Sequence, residues 1–475
     1  MPTEEARAAA RIDGGTFAGS PTEGWGLAAG CLAGATVLGL TLQITNGAFY
    51  GPLAVEALHG LTQTLLVTLG AIAASRLGRW TLRVEAVLAV LLGGALLLQL
   101  SALVAEHPGR YMRLEGPWPY APLYLGLGTE ALIAGALLAG PATARRWLVP
   151  ALMVAHLYLG NWMLHASPAP YIDVFVFQTQ GAEALLHRIN PYSMTFPNIY
   201  GNTAVYGEGL VENGRLLFGF PYPPLSLYLS TLGQVLKGDP RYGHLMAVTL
   251  AAGFMAYARG GRLGAGAAAL LLLTPRGLFV LEQSWTEPFL VLFLAATVFC
   301  ACRAPRALPY AFGLLVAVKQ YTVFMLPLLP LLTPLRGRAL WGLLWRAGAT
   351  ALGVSLPLML MNPSAFIHSV VTLQFHQPFR PDALSYLAWW VSLGHEQPPV
   401  WIAFAAVALA LALALWRAPR TPAGFAGAVA LVYGVFFAFN KQAFANYYYF
   451  VLGALCIAAA AAHGPVEPPS PRQGA

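Results

Sequence analysis

Charge is what this chain has least of. Only 10% of its 475 residues are Asp, Glu, Lys or Arg, where a soluble domain carries about 25%. So few charges cannot cover a water-facing surface. That excludes a soluble enzyme, a disordered regulator and a disulfide-rich secreted domain as descriptions of the whole. Cysteine is scarce too. Cys31, Cys300, Cys302 and Cys456 all lie in apolar runs, with the spacing of neither a disulfide frame nor a zinc site, and read as small buried hydrophobes. Lysine occurs three times, as Lys237, Lys319 and Lys441. There is no P-loop. The segment GRLGAG at 261–266 resembles a dinucleotide turn only loosely and lies in an apolar stretch. No DxD motif occurs, so a nucleotide-sugar site built on a divalent metal has no support. Asn362-Pro363-Ser364 is barred from glycosylation by its proline.

What is abundant is apolar. The chain is 57% hydrophobic, with a mean hydropathy of +0.61. It reads as an all-α polytopic integral membrane protein. At roughly 20 residues per span, the length accommodates about 12 to 14 transmembrane helices. Apolar runs are expected near 25–44, 53–75, 84–105, 119–140 and 147–165, then 222–236, 242–258, 263–281 and 286–302. The last are 307–333, 340–361, 398–416, 423–439 and 446–462. Run 307–333 reads either as one span or as two short helices meeting at Lys319. The net charge of +8 needs no nucleic acid partner, because the arginines fall in gaps between runs, where the positive-inside rule accounts for them. Arg76, Arg79 and Arg83, then Arg145 and Arg146, Arg336, Arg338 and Arg346, and Arg417 and Arg420 are expected to be cytoplasmic. Segment 1–24 is expected to be a polar cytoplasmic tail, and 463–475 a proline-rich disordered one. Loops 106–118, 166–221, 362–397 and 440–442 then lie outside, and 282–287 is placed with them. Loop 106–118 breaks the charge bias, because it carries Arg110 and Arg113 on the outer side.

The outer loops hold the chemistry-bearing residues. Segment 166–221 is too polar to span and opens on an amphipathic stretch, DVFVFQTQGAEALLHRINPY, suited to the membrane interface. Its helix is expected to stop at Asn190-Pro191. Asp173 reads as a helix cap, as a general base held over a lipid-bound substrate, or as both. Asn190, Tyr192 and Tyr222, in INPYSMTFPNIYGN and FPYPPLSLY, suit sugar recognition, and equally an interfacial aromatic belt. Lys319 must snorkel, pair or bind an anion; Glu282, Glu287 and a lipid phosphate are its candidate partners. Asn440 and Lys441 stand at an outer helix end, Lys441 as an anion contact or an interfacial anchor. His376 and Arg380 lie in 362–397. Two histidines eight apart make a poor metal site, so no metal is expected, and Arg380 reads as a phosphate contact or as the partner of Asp382.

Asp173 after a helix exit, GAEALLHRINPY, FPYPPLSLY, AVKQYTVFMLPLLPL and the glutamine of LEQSWTEP (Gln283) resemble GT-C glycosyltransferases. More narrowly they resemble the polyprenol-phosphate-mannose-dependent mannosyltransferases of family GT87. The likeness covers about residues 150–460. It implies a GT-C-like catalytic module at 146–462 that moves a sugar, mannose in that family, from a polyprenyl-phosphate carrier to an extracytoplasmic acceptor hydroxyl. The acceptor would be a glycan, a glycolipid or a protein. Asp173 matches the family's catalytic aspartate, and Lys319 a lysine near the carrier phosphate. Gln283 and Glu287 are included among the substrate-binding candidates. No cofactor is implied beyond the lipid-linked donor. The setting implied is the cell (inner) membrane, with the site facing outward. Helices in 25–145 are additional to the usual pattern of the family. The alternative reading is a transporter or lipid-carrier flippase without transfer chemistry.

Overall fold

A computed structural model describes residues 25–75 and 81–462. The expected tails at 1–24 and 463–475, and Arg76 and Arg79, lie outside the described residues. The chain is helical almost throughout. In order come α1 (Trp25–Thr45), α2 (Ala54–Ala73), α3 (Leu82–Ala105), α4 (Ala121–Ala139), α5 (Ala142–Ala166) and α6 (Asp173–Leu186), then α7 (Pro224–Lys237), α8 (Arg241–Ala258), α9 (Gly261–Leu272), α10 (Gly277–Glu282) and α11 (Glu287–Arg303). After α12 (Leu308–Val316) and a 3-10 segment (Gln320–Leu328) follow α13 (Leu329–Leu332), α14 (Gly337–Met361), α15 (Pro363–Ile367) and α16 (Leu373–His376). The chain closes with α17 (Tyr386–Ser392), α18 (Trp401–Arg417), α19 (Pro422–Ala438) and α20 (Ala445–Ala461).

Among the described residues, six helices are long and apolar enough to cross a membrane: α1, α2, α3 (from Arg83), α4, α5 and α14. Helices α9, α18, α19 and α20 and the Gln320–Leu332 stretch are apolar but shorter. A 17-residue helix such as α19 is about 26 Å long at 1.5 Å per residue, against a hydrocarbon core of about 30 Å. The exposed apolar surface fits a lipid solvent: Leu132, Val90 and Trp345 are among many large side chains left uncovered on α4, α3 and α14.

Helix α20 is the central post. Its residues from Tyr448 to Ala461 are all buried, and it packs against α1, α8, α9, α11 and α19. Its sequence ANYYYFVLGALCIAAAA explains why. Small residues let neighbouring backbones approach, and a Cβ on Gly453 would stand 2.7 Å from Val291 of α11. The first helix is part of this core: α1 packs between α2 and α20, with Leu27, Ala28, Cys31 and Leu38 fully buried.

Two elements differ from the pattern read in the sequence, and a third decides between two readings. Run 263–281 is not one helix: α9 ends at Leu272, Thr274 and Pro275 interrupt, and α10 restarts at Gly277, because proline cannot donate to the preceding turn. Run 307–333 takes the second of its two readings, with α12 ending at Val316 and Lys319 extended at φ −152°, ψ 148° before the 3-10 turn. The amphipathic helix α6 stops at Leu186, short of Asn190-Pro191, because Arg188 turns left-handed at φ +61°. Segment 187–221 then forms a small antiparallel sheet of two-residue strands, β1 (Phe196–Pro197), β2 (Val211–Glu212) and β3 (Arg215–Leu216), in the order β1-β3-β2. A second apolar cluster binds it to α6 and to 358–373: Phe177, Tyr192, Phe196 and Phe218 meet Leu358, Phe366, Val370 and Leu373.

Candidate functional site

The loops at 45–50, 110–111, 171–222, 283–285 and 373–400 and the segments around Lys319 and Lys441 converge on one cavity of about 1450 Å³. Asp173, Tyr222, Gln283, Lys319, Arg380, Asn440 and Lys441 all line it. Four of the lining residues are cationic (Arg110, Lys319, Arg380 and Lys441) and two are acidic (Asp173 and Asp382). One flank is apolar: Val323, Phe324, Val400 and Phe404 line it, and Val323, Val400 and Phe404 are also exposed.

Asp173 is the first residue of α6. Ile172 holds the cap position without a side-chain bond, so Asp173 sits in the first turn, where the helix dipole favours a carboxylate. Its Oδ1 accepts from the Val174 amide at 2.8 Å and from the Tyr200 hydroxyl at 3.4 Å. The Tyr206 hydroxyl makes no hydrogen bond of full geometry, yet it faces the same carboxyl. Burial pushes the Asp173 carboxyl above its ordinary range, and Tyr206, the Val174 amide, Arg380 and Tyr200 pull against that rise. Burial and the Asp173 charge push the Tyr200 and Tyr206 hydroxyls well up, so both stay protonated and able to donate.

Lys319 sits in a cage. Its Nζ pairs with Glu287 Oε1 and donates to Thr286 Oγ1 at 3.0 Å. It stands 5.1 Å from the Tyr222 ring, 5.4 Å from Tyr447 and 5.5 Å from Tyr321. Of its candidate partners, then, Glu287 is the one it meets. Glu287 is fully buried behind Lys319 and does not line the cavity; the Tyr321 hydroxyl also donates to its Oε1, at 3.1 Å. Arg380 forks onto Asp382 at 2.8 and 2.7 Å, and its guanidinium lies 5.0 Å from the Phe444 ring. Burial pulls Arg380 down, but Asp382 and then Asp173 outweigh it and hold the group above its usual value. Lys441 donates to the Gln377 carbonyl, with burial drawing its ammonium below the ordinary range. Asn440 Oδ1 accepts from the Lys441 amide at 2.7 Å.

Asn190, Tyr192 and His376 do not line the cavity. Asn190 braces a turn, its Oδ1 accepting from the Tyr192 amide at 3.1 Å and its Nδ2 donating to Leu358 O at 3.4 Å. Tyr192 is buried and donates to the Tyr222 carbonyl at 2.7 Å, so it holds the Tyr222 backbone in place. His376 is exposed and bonds back to Thr372 O at 3.0 Å. Among the described residues no three His, Cys, Asp or Glu side chains stand close enough together to hold a metal ion.

Residues the sequence reading passed over complete the frame. Tyr200 and Tyr206 had no signal beyond the tyrosine-rich composition of their loop. Arg241 is fully buried at the start of α8. It forks onto Asp239, donates to the Ser167 carbonyl at 2.8 Å and lies 4.8 Å from the Phe175 ring. It thereby ties the exit of α5 to α6. Glu282, a candidate partner of Lys319, instead accepts from the backbone amides of Arg110 and Tyr111 at 2.7 and 2.8 Å. Comparison with protein-family models, with curated proteins and with solved structures finds no match for this chain.

Proposed function

We propose that the protein is a membrane glycosyltransferase that takes a sugar from a polyprenyl-phosphate carrier and passes it to an acceptor hydroxyl on the extracytoplasmic side of the cell membrane. The observation that carries this reading is the position of Asp173: a helix-anchored carboxylate in a cavity whose lining holds four cations and an apolar flank. A sugar carrier needs both a cationic place for its phosphate and an apolar path for its isoprenoid tail. The exposed edge formed by Val323, Val400 and Phe404 suits the tail.

The reaction is a single displacement. Asp173 takes the proton of the acceptor hydroxyl as that oxygen attacks the anomeric carbon. The bond between that carbon and the phosphate oxygen breaks, and the lipid phosphate leaves with the electron pair. The configuration inverts, because one carboxylate serves as base and none as nucleophile. Arg380, Lys441 and Lys319 face the departing phosphate; fixed cations in a site shielded from water stabilise developing charge more than they would in solution. Lys319 contributes less than a free lysine, because Glu287 already offsets its charge. The chemistry supports a mannosyl donor only through the resemblance of the GAEALLHRINPY, FPYPPLSLY and AVKQYTVF segments to the mannosyltransferase family.

The experiment is to reconstitute the full chain in vesicles with labelled polyprenyl-phosphate sugars. Transfer to an acceptor supports the enzyme. Movement of the carrier across the bilayer with no transfer would replace it with a flippase. Asp173→Asn should lower turnover by about 10²–10⁴-fold, the usual worth of a general base, while the protein stays folded and inserted. Wild-type turnover in that variant would remove Asp173 from the role.

A further inference from the structure

The second half of the molecule does not close the cavity by itself. Thr45 at the end of α1, Asn46 and Tyr50 of the α1–α2 loop, and Arg110 and Tyr111 of the α3–α4 loop supply part of its lining. The α3–α4 loop is held there by a specific device. Glu282, at the end of α10, is fully buried. Its two oxygens accept from two consecutive backbone amides 172 and 171 residues away in the chain, Arg110 N to Oε2 and Tyr111 N to Oε1. The neighbouring Gln283 side chain donates to Oε2 at 3.0 Å. Gly109 is part of the fit, because a Cβ there would stand 2.6 Å from Glu282 Oε1 and 2.3 Å from Met163 Cε. Arg276 fixes the other end of the loop, donating to His107 O at 3.1 Å and pairing with Glu106 at 2.9 Å. A buried carboxylate with each oxygen engaged by a main-chain amide sets where the attached side chains point.

What the clamp delivers is a cation. Arg110 lines the main cavity and also an adjoining one of about 510 Å³. Its guanidinium makes no hydrogen bond and no ion pair among the described residues, and lies 5.9 Å from the Tyr111 ring. Each of the other three cations of the lining is engaged: Lys319 by Glu287, Arg380 by Asp382 and Lys441 by Gln377. Arg110 thus keeps its planar fork of donors open, and that fork matches the two oxygens of a carboxylate or phosphate.

We infer that the N-terminal helices contribute an oxyanion-binding subsite to this cavity, with Arg110 as the recognising cation and Glu282 as the positioning residue that sets it. The ligand chemistry is a carboxylate or phosphate carried by a substrate, either an acidic sugar of the acceptor or the phosphate of the lipid carrier. The inference deepens the proposed function and rests on it for what happens to the ligand. Its test reads binding alone, so it can fail while transfer stands, or stand while transfer fails.

The full chain in detergent is treated with phenylglyoxal, which modifies accessible guanidinium groups, and each arginine is read by mass spectrometry. Sodium glucuronate is added in one arm and farnesyl phosphate in the other. Arg110 should be protected at least about threefold in one arm, and the arm identifies the source of the oxyanion. Glu282→Gln, which keeps the size of the side chain but not its charge, should lose most of that protection while Arg380 responds as in the wild type. A direct binding titration should weaken about fivefold or more in Arg110→Gln, a substitution at an exposed side chain that leaves the fold in place, and recover in part in Arg110→Lys. No protection in either arm, or binding unchanged in Arg110→Gln, would overturn the subsite. Full protection in a folded Glu282→Gln protein would overturn the positioning role.

Discussion

Asp173 and its neighbours make the pH dependence predictable. A general base works only when unprotonated, so turnover falls as pH drops through its pKa. Burial raises that pKa, so the acid limb of the kcat profile should lie above the range of about 4 expected of an unperturbed carboxylate. Arg380 is one of the groups that lower it. Removing that charge in Arg380→Gln should therefore move the acid limb further toward neutral pH. A limb that stays put, or moves toward acid, would show that Asp173 is not the group being titrated. Lys319 yields a separate test. Lys319→Met strands the buried Glu287 carboxylate and should cost about 3–5 kcal/mol, the usual penalty for breaking a buried pair, read as a lower Tm in detergent. Adding Glu287→Gln should restore most of that stability. If Lys319 also faces the carrier phosphate, the double variant should regain its Tm yet keep a raised KM for the donor; regaining both would make the lysine purely structural.

At the scale of elements, the polar segment after α5 owes its shape to a few cross-links between helices. Arg241 is the one with most connections: Asp239 beside it, the Ser167 carbonyl at the end of α5, and the Phe175 ring on α6. Arg241→Met should lower stability by about 3 kcal/mol, the low end for a broken buried pair, because Asp239 retains some contact with water. Since α6 carries Asp173 at its first residue, the same variant should lose turnover more than its Tm alone accounts for. A full loss of Tm with wild-type turnover in the folded fraction would mean that Arg241 does not orient α6. Interruptions matter as much as helices here. Helix α12 ends at Val316 and the backbone is extended at Lys319, and that break turns the lysine into the cavity instead of leaving it on a continuous apolar helix.

At the scale of the whole molecule, the loops at 45–50, 106–118, 166–222 and 373–400 gather around one cavity. Under the proposed function they share one side of the bilayer. Single cysteines placed at Glu115 and Glu208, in a background free of the four native cysteines, should both react with a membrane-impermeant maleimide added to intact cells. A cysteine at Arg262, at the start of α9, should react only after permeabilisation. Labelling of Glu115 and Glu208 positions from opposite sides would break the cavity apart as a functional unit. The same view changes the standing of the first helices. They read in the sequence as an addition to a catalytic module, but α1 packs on α20 at the centre of the fold, and the α3–α4 loop contributes to the cavity wall.

The sequence alone determined that the chain is helical and apolar enough for a membrane: with 10% charged residues it cannot cover a water-facing surface, and apolar runs of about 20 residues suit helices, not the alternating strands of a barrel. Periodicity and polar content located the helices and marked Asp173, Lys319, Arg380 and Lys441, since a charge among apolar runs stands out by its cost. Arg110 was visible as well, but only as an arginine on the wrong side of the charge bias. What the residues could not declare was pairing. Whether Lys319 meets Glu282 or Glu287, whether Asn190 and Tyr192 face the cavity or brace its wall, and which loop Glu282 holds all depend on groups 30 to 172 residues apart in the chain coming within hydrogen-bond distance. Such contacts come from the packing of helices around α20, and no local pattern in the sequence carries that distance.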